Sequence, residues 1–297
     1  MQTRRNFLST TALAAAAAPG LLTAQDAARS WHFTTFTKPF QHLSYEKMAE
    51  VIAELGFNGI EAPIRPGGHV LPERIEEDLP KLVAALKKRD LEVTIAASGI
   101  NQVNDEQRTE TVLRALAAHG IGRFRMSYYR YDLDKPIYAQ LDEFRPQLRD
   151  LIAMSKEIGI KPVYQNHSGS KYCGTAIWDL FDLFKEHDPA HIGVAFDIGH
   201  ATVEGSKAWR LNYGLIEDYV DTVYAKEPAF IENKVVFGPL GEGAVDKSFY
   251  KLVAERHTGP INLHVEYLGH KDPAIVPKVI EATRRDFATL KKLLGEV

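Results

Sequence analysis

The stretch His191-Ile-Gly-Val-Ala-Phe-Asp-Ile-Gly-His200 decides the fold and also points to the site. Its apolar run has the length of a short buried strand, and such continuous runs are typical of parallel sheets covered on both faces. The run ends on the carboxylate of Asp197, and the imidazole of His200 follows three residues later. Ionisable groups directly after a buried strand predict a functional site at that end of the strand.

Three other apolar runs in the second half of the chain also end in polar residues. Gln165 and His167 follow the first of these runs. Lys226 ends the second run, and Glu266 ends the third. If the four strands are parallel neighbours, their carboxyl ends meet at one open face, and these groups converge on a pocket.

The rest of the chain alternates in the same way between short apolar strands and segments of helical periodicity. Ser44 is a suitable N-cap for the first helix, and Gly56 is a suitable end. Eight β/α units in strict alternation predict a single-domain (β/α)8 TIM barrel. A doubly wound open sheet is the alternative, but no glycine-rich phosphate turn follows the first strand. The predicted strands cover residues 31–36, 58–61, 91–96, 123–126, 161–164, 192–196, 222–225 and 261–265.

Composition excludes several classes of function. The 297 residues are 45% hydrophobic and 25% charged, as in ordinary globular proteins. A formal net charge of -3 gives no basis for binding nucleic acid or an anionic membrane. The single cysteine, Cys173, rules out an internal disulfide and is expected to be a small buried residue.

The first 24 residues have the pattern of an export signal. Arg4 and Arg5 precede an alanine-rich segment over residues 11–22, and small residues follow it up to Ala24. A positive start, a short apolar middle and a small-residue end predict a cleaved signal of the twin-arginine type. We therefore expect a signal over residues 1–24, a barrel over residues 25–297 and a periplasmic protein with no membrane contact after cleavage.

The strand ends and loops of the first half add further candidates for the pocket. Glu61 follows the second strand, and Tyr129 follows the fourth. Arg65 and His69 lie in a glycine-rich loop that resembles a lid over a ligand, although they are equally compatible with solvated loop residues. Together with Gln165 and His167, these side chains suit the binding of a polyhydroxylated ligand.

The strand-end residues also suggest specific chemistry. Asp197 and Glu266 are hard oxygen ligands of the kind that Mg²⁺ and Mn²⁺ prefer. Alternatively, Asp197 caps the loop that follows it, and His200 only packs. Lys226 is expected to bind an anionic or carbonyl oxygen, or to stabilise an enolate; the alternative is a salt bridge to Glu227 or to another carboxylate at the mouth of the barrel.

These motifs, in this order, resemble the xylose isomerase-like TIM-barrel family over essentially all of the chain after the signal. That family includes sugar phosphate isomerases and epimerases. The segments that carry the resemblance are Gly56-Phe-Asn-Gly-Ile-Glu61, Gln165-Asn166-His167, Asp197-Ile-Gly-His200, Tyr224-Ala-Lys226-Glu227, Pro239-Leu-Gly-Glu-Gly243 and Glu266. The resemblance extends to an exported subgroup with the form Tyr-Gln-Asn-His-Ser-Gly over residues 164–169.

The resemblance implies a divalent metal, Mn or Mg and possibly Zn. In the family's epimerases a Glu, an Asp, a His and a Glu hold the metal. Asp197 and Glu266 match two of these positions, whereas Gln165 replaces the first Glu and Tyr224 replaces the His. The implied metal ligands are thus Asp197, Glu266 and Gln165. An amide cannot act as a general base, which argues against two-base epimerisation.

The family and the remaining residues together predict a sugar isomerase or epimerase-like enzyme. Its catalytic residues would be Glu266, His200 and Lys226, and its partner would be a small carbohydrate. Two alternatives remain open: a lyase that acts on an oxidised glycoside by β-elimination, and a carbohydrate-binding protein without catalysis. The oligomeric state is not predicted.

Overall fold

The computed structural model describes residues 31–296, which form a closed barrel of eight parallel strands. Each of the eight predicted strands coincides with a barrel strand, and the described residues form one compact unit. The predicted single-domain (β/α)8 TIM barrel is therefore confirmed. The barrel strands, in their order around the barrel, are β1 (Phe33–Phe36), β2 (Gly59–Ile64), β3 (Glu92–Ser98), β4 (Arg123–Arg125), β5 (Lys161–Gln165), β6 (Gly193–Asp197), β7 (Val220–Ala225) and β10 (Ile261–Leu263).

Helices pack around the barrel, and their ends follow from local sequence. The first helix shows this: the Ser44 side chain accepts the N–H of Lys47 at its start, and Gly56 ends it at a φ of 87°. The α-helices are α1 (Tyr45–Leu55), α2 (Ile75–Lys87), α3 (Thr109–Ala118), α4 (Ile137–Ile158), α5 (Trp178–Phe184), α6 (Ile198–Gly205), α7 (Trp209–Ile216), α8 (Ser248–Arg256) and α9 (Val276–Leu293). Short 3-10 helices cover Lys38–Phe40, Pro72–Arg74, Ser206–Ala208, Glu217–Tyr219 and Pro273–Ile275.

Helix α6 begins where one interpretation of the sequence placed a loop after Asp197. The Asp197 carboxylate accepts the backbone N–H of His200 at 3.0 Å, and this N-cap starts a helix directly after β6. His200 therefore lies in the first turn of α6. The helix holds the imidazole rigidly beside the end of the strand.

A two-stranded antiparallel hairpin, which the sequence did not reveal, follows Lys226. It consists of β8 (Glu227–Ile231) and β9 (Lys234–Gly238). Glu232 and Asn233 in the turn have φ values of 48° and 62°, as a two-residue type I′ turn requires. Residues of β9 line the pocket, so the hairpin forms one of its walls.

The loop after the hairpin is fixed by Glu227. Its carboxylate accepts the N–H groups of Gly241 at 2.8 Å and Val245 at 2.9 Å. Lys226 forms its salt bridge not with Glu227 but with Glu266, another carboxylate at the mouth of the barrel. A Cβ atom at Gly243 would lie 2.3 Å from the carbonyl oxygen of Pro228, so this close approach requires glycine.

The barrel interior is filled by a small cluster of fully buried side chains. Tyr224 packs there with Ile95, Val163 and Ala195. Burial raises the pKa of Tyr224 well above its usual value, so the phenol is neutral at pH 7. Cys173 is also buried, as expected. No helix within residues 31–296 combines the length and apolar character needed to cross a membrane.

Candidate active site

A pocket of about 530 Å³ opens at the carboxyl ends of β5, β6, β7 and β10. This volume lies within the usual range for small-molecule sites. The pocket has a polar side made of ionisable groups and an apolar side contributed mainly by the hairpin. Its lining residues are His167, Ser168, His200, Lys226, Val235, Val236, Phe237, His264, Glu266 and Tyr267.

Lys226 lies at the centre of the ionisable groups. Its ammonium nitrogen is 3.0 Å from Oε2 of Glu266, 3.3 Å from Nε2 of His200 and 3.9 Å from Oδ2 of Asp197. Burial favours the neutral amine, but the carboxylates of Glu266 and Asp197 outweigh it and raise the pKa of Lys226. The side chain is therefore a buried, permanently charged hydrogen-bond donor.

Glu266 is the carboxylate with access to the pocket, since a quarter of its side chain is exposed. Oε2 contacts Lys226, and Oε1 lies 3.1 Å from the ammonium of Lys38. The ring of His264 lies 3.4 Å from Oε2. Burial would raise the pKa of Glu266, but Lys226, His264 and Lys38 hold it well below its usual value. Glu266 is thus ionised in the free protein.

Two of the three histidines that line the pocket, His167 and His200, are neutral and have defined tautomers. An ammonium only donates, so the contact with Lys226 leaves the proton of His200 on Nδ1, which donates to Oγ of Ser168 at 2.8 Å. His167 donates from Nδ1 to the carbonyl of Ser168 at 2.8 Å, which leaves its Nε2 as an acceptor. Burial lowers the pKa of both rings, to about 3 for His200. Their ring centroids lie 3.9 Å apart.

Asp197 is fully buried and is linked to the pocket through its neighbours. Burial works to raise the pKa of Asp197, but the adjacent ring of His200 and the ammonium of Lys226 lower it to about 2. Asn166 holds the backbone in place, donating to the carbonyl of Asp197 at 3.0 Å and accepting its N–H at 2.7 Å. Asp197 therefore caps α6 and also positions charged groups of the pocket.

Gln165 does not fit the predicted role of a metal ligand. Its amide nitrogen donates to Oδ2 of Asp197 at 2.8 Å. Its oxygen accepts a hydrogen bond from Tyr128 at 2.6 Å and a second from the guanidinium of Arg125. Both lone pairs of the amide oxygen are therefore in use. Gln165 is only 1% exposed and positions Asp197, and its predicted contact with substrate stays a prediction.

Glu61 lies beneath the pocket rather than in it. Its side chain is fully buried, with Oε1 2.6 Å from Nε of Arg125 and Oε2 2.9 Å from Nε2 of His264. Asn262 donates a further hydrogen bond to Oε2. Partners inside the barrel contact both of its oxygens, and its predicted contact with substrate stays a prediction. Glu61 and Arg125 form a buried ion pair under the pocket.

Tyr129 is also outside the pocket. Its ring stacks on Phe144 with centroids 4.7 Å apart, and its hydroxyl donates to the carbonyl of Asn101 at 2.7 Å. Only 2% of the residue is exposed. The predicted contact of Tyr129 with substrate stays a prediction. Its neighbour Tyr128 is the one that approaches the pocket, since its ring lies 5.0 Å from that of His167.

The loop that carries Arg65 and His69 is hydrogen-bonded to the barrel through His69 and carries a positive charge at Arg65. The His69 ring donates from Nε2 to Thr37, with its carbonyl at 3.1 Å and its hydroxyl at 3.0 Å. His69 therefore joins the loop to the end of β1. The guanidinium of Arg65 lies 5.9 Å from the ring centroid of Phe36, and it forms no ion pair with any carboxylate in the described part of the chain.

The role of His69 leads to a pH-dependent prediction. Burial lowers its pKa from 6.5 to about 4, so the unfolded chain binds more protons than the folded one between these values. Stability should therefore fall as the pH decreases from 6.5 to 4, by about 2 kcal/mol for this group after allowing for its partial exposure. In His69→Gln, the free energy of unfolding, measured with urea at several pH values, should depend less steeply on pH than in the wild type. An equal dependence on pH in the two proteins would contradict this role of His69.

Gly199 allows the backbone of Lys226 to approach α6. A Cβ atom at Gly199 would lie 2.9 Å from both Cβ and the carbonyl oxygen of Lys226. We expect Gly199→Ala to displace Lys226, to cost about 1–3 kcal/mol by overpacking and to lower activity. The control is Gly214→Ala in α7, where no atom lies within 4 Å of the added Cβ; it should be neutral or slightly stabilising. Thermal unfolding and activity assays compare the two, and equal effects would argue against the role of Gly199.

Several residues of the site were not predicted from the sequence. Arg125 lies inside the barrel, under the pocket, whereas Lys38 begins the short 3-10 helix after β1 and Ser168 comes from a loop. A signal for Arg125 was present, because a charged residue in a short buried strand requires a buried partner. Lys38 carries no comparable signal, because only the closed barrel brings it to Glu266, 228 positions further along the chain.

The charges around the pocket favour a negative ligand. The carboxylates of Glu61, Asp197 and Glu266 face four cations. These cations are the side chains of Lys38, Arg65, Arg125 and Lys226. Among these carboxylates, ammonium groups and guanidinium groups, one positive charge is in excess. Such a site stabilises an anionic group or a negative charge that develops during a reaction.

The fold is shared with several solved structures of low sequence identity. The Escherichia coli 3-keto-D-glucoside 4-epimerase is 18% identical, with a TM-score of 0.65 over 89% of this chain and 100% of that one. The probable 3-DHS dehydratase of Bacillus anthracis involved in petrobactin synthesis is 15% identical, with a TM-score of 0.65 over 86% and 98%. The D-psicose 3-epimerase of Clostridium cellulolyticum is 12% identical, with a TM-score of 0.64 over 89% and 99%.

The sequence was also compared with curated proteins and with protein families. No curated protein matches this chain significantly. A family model, described as xylose isomerase-like TIM barrel, matches residues 49–293, which is most of the chain. The chain therefore belongs to the xylose isomerase-like TIM-barrel family.

Proposed function

We propose that this protein is a sugar isomerase or epimerase-like enzyme that moves a proton at the carbon next to the carbonyl of a keto sugar or sugar derivative. The observation that carries this proposal is the buried ammonium of Lys226, held in the pocket beside a carboxylate and a neutral imidazole. These are the groups that enolisation needs: a donor for the oxygen that becomes negative, and a base for the proton that leaves.

In the proposed reaction the carbonyl oxygen of the substrate accepts a hydrogen bond from Lys226. Negative charge that builds up on this oxygen meets a donor already fixed in place by Glu266 and Asp197. Binding of the oxygen to Lys226 loosens the contact with Glu266, which frees Oε2 to accept the proton from the neighbouring carbon. The same carboxylate then delivers this proton to the former carbonyl carbon, while the hydroxyl proton on the neighbouring carbon passes to the former carbonyl oxygen, so that the carbonyl shifts by one position.

The remaining pocket residues suit a carbohydrate. The Nε2 atom of His167 forms no hydrogen bond within residues 31–296 and is an acceptor for a sugar hydroxyl. The hydroxyl of Ser168 is a second polar group on the same side. The wall formed by Val235, Val236 and Phe237 offers apolar contact for the C–H face of a sugar ring or for an attached group.

The comparisons support this proposal at the level of family and fold. The family is named after an isomerase, and two of the structures with this fold are those of sugar epimerases. Identities of 12–18% support no transfer of substrate. The site residues of this chain therefore carry the chemical argument.

A lyase reaction on an oxidised glycoside is the second candidate, and one observation favours it. Glu266 is the one carboxylate that lines the pocket within the described residues, because Asp197 and Glu61 are fully buried. One base is sufficient for β-elimination, which requires a single proton abstraction and a leaving group. A reaction with two opposed bases would need a second group of this kind.

The test is a screen of free keto sugars and 3-keto glycosides, with products identified by NMR. A rearranged sugar that retains all of its substituents supports the isomerase, and release of the glycosidic substituent supports the lyase. If the protein binds members of the panel but converts none, the proposal of an enzyme is wrong and a carbohydrate-binding protein is favoured.

We also propose that the protein acts in the periplasm after twin-arginine export. The motif at Arg4 and Arg5 supports this, although residues 1–24 lie outside the described residues. Fractionation of cells that express the full chain tests it, with Lys replacing both arginines as the control. Recovery of the mature protein from the periplasm only with the native arginines is the expected result; cytoplasmic retention of both would contradict export.

A further inference from the structure

We propose that the ammonium of Lys226 takes the position of a divalent metal ion, so that the site functions without a metal. The inference rests on the proposed function for the catalytic role of Lys226. The exclusion of a metal, in contrast, follows from the arrangement of the side chains and can be tested without a substrate.

The first observation is where the potential metal ligands point. Oδ2 of Asp197, Oε2 of Glu266 and Nε2 of His200 lie on three different elements and converge on one point. That point is the nitrogen of Lys226, at 3.9, 3.0 and 3.3 Å respectively. Two carboxylates and an imidazole around one centre are a typical ligand set for a cation, and here the chain provides the cation itself.

The second observation is that other cations occupy the remaining donor atoms. Oε1 of Glu266 contacts the ammonium of Lys38, and the oxygen of Gln165 accepts from Arg125. A divalent ion at the centre would therefore meet Lys226 and Lys38 at short range, in a buried site where like charges repel strongly. Consistent with this, no group of three or more His, Cys, Asp or Glu among residues 31–296 is arranged to hold a metal.

The third observation is that the surrounding residues hold the ammonium of Lys226 in place. Lys226 is only 8% exposed, and Gly199 leaves space for its backbone against α6. The ring of Phe237 in the hairpin lies 5.3 Å from its ammonium, and this cation–π contact favours the charged form in this position. Burial among acidic partners keeps the ammonium in one position, as a role in orienting a carbonyl oxygen requires.

Metal binding by the purified full chain tests the proposal directly. The protein is incubated with excess MnCl2, passed through a desalting column and analysed for metal, and its Tm is measured with MnCl2 or EDTA. We expect far less than one ion per chain and the same Tm in all conditions. Stoichiometric Mn²⁺ together with a Tm that EDTA lowers would overturn the proposal.

A pair of variants tests whether Lys226 is what excludes the metal. Lys226→Met removes the charge and leaves Asp197, Glu266 and His200 around an unfilled centre, so it should bind Mn²⁺ at least about tenfold more tightly than the wild type. Lys226→Arg keeps a cation there and should not gain affinity. Equal Mn²⁺ affinity in the three proteins would contradict the role of Lys226, and if Lys226→Met does not fold, the wild-type measurement decides.

These measurements separate failure of this inference from failure of the proposed function. A wild-type protein that holds no metal and also turns over no keto sugar would support the replacement while removing the proposed reaction. A protein that holds Mn²⁺ and isomerises a keto sugar would overturn the replacement of the metal by Lys226 but support the proposed reaction.

Discussion

Replacing Lys226 by Met should lower kcat on the keto sugar that the enzyme converts by about 10²–10³-fold, the usual cost of removing one donor to a developing oxyanion. The reason is that the Lys226 ammonium is the charged donor in the pocket held by both Glu266 and Asp197. KM should change much less, because the negative charge on the oxygen develops only in the transition state. Steady-state kinetics measure both quantities.

The same substitution should also lower stability. It leaves the fully buried Asp197 without its nearest cation, and breaking a buried ion pair costs about 3 kcal/mol. Circular dichroism before the assay shows whether the variant is folded. Lys38→Met is the matched control, since it removes a charge from the other oxygen of Glu266 at 3.1 Å and should have a smaller effect on kcat. An equal or larger loss in Lys38→Met would argue against the proposed role of Lys226.

Glu266→Gln should abolish proton transfer, with a loss of about 10²–10⁴-fold in kcat. The amide has nearly the same shape and still accepts a hydrogen bond from Lys226, but it cannot take up a proton from carbon. Binding of a substrate analogue, measured by calorimetry, should be largely retained. The kinetic loss without a loss of binding distinguishes a base from a residue that only contacts the substrate.

His167→Gln is the control for Glu266→Gln, because it likewise changes a hydrogen-bond acceptor that lines the pocket to an amide. We expect a rise in KM and a modest change in kcat, since His167 is assigned to hydroxyl binding. If His167→Gln removes turnover while Glu266→Gln retains it, the base is His167 and the assignment to Glu266 is wrong.

The fold was predictable because its signals are local and repeated. Apolar strands, helix caps such as Ser44 and helix ends such as Gly56 occur in each unit, and eight units close a barrel. The hairpin of β8 and β9 was missed because it interrupts the alternation of buried strands and helices with two strands that are partly exposed. Helix α6 was missed because its N-cap is Asp197, a residue whose position also suggested a ligand.

The site was predictable only where residues lie at strand ends and face the opening. Lys226, His200, His167 and Glu266 line one pocket, as their positions indicated. Sequence position does not reveal the direction or the partners of a side chain, so Glu61, Gln165 and Tyr129 were assigned to the substrate although each has partners in the interior.

The replacement of metal by ammonium illustrates the same limit. The sequence showed that Gln165 and Tyr224 depart from the family's ligands, which raised a question about the metal. Only the geometry shows Lys226 at the centre of the remaining donors. A lysine one strand away from Asp197 has no sequence spacing that predicts this contact.

The central claim is that the pocket moves a proton next to a carbonyl, and hydrogen–deuterium exchange tests it most directly. A keto sugar is incubated in D2O with the wild type, and NMR follows the carbon next to the carbonyl. We predict deuterium at that carbon faster than without enzyme, in the presence of EDTA, and no enzyme-dependent exchange with Glu266→Gln. Binding of the sugar without any exchange above the uncatalysed rate, across the panel of keto sugars, would contradict the account.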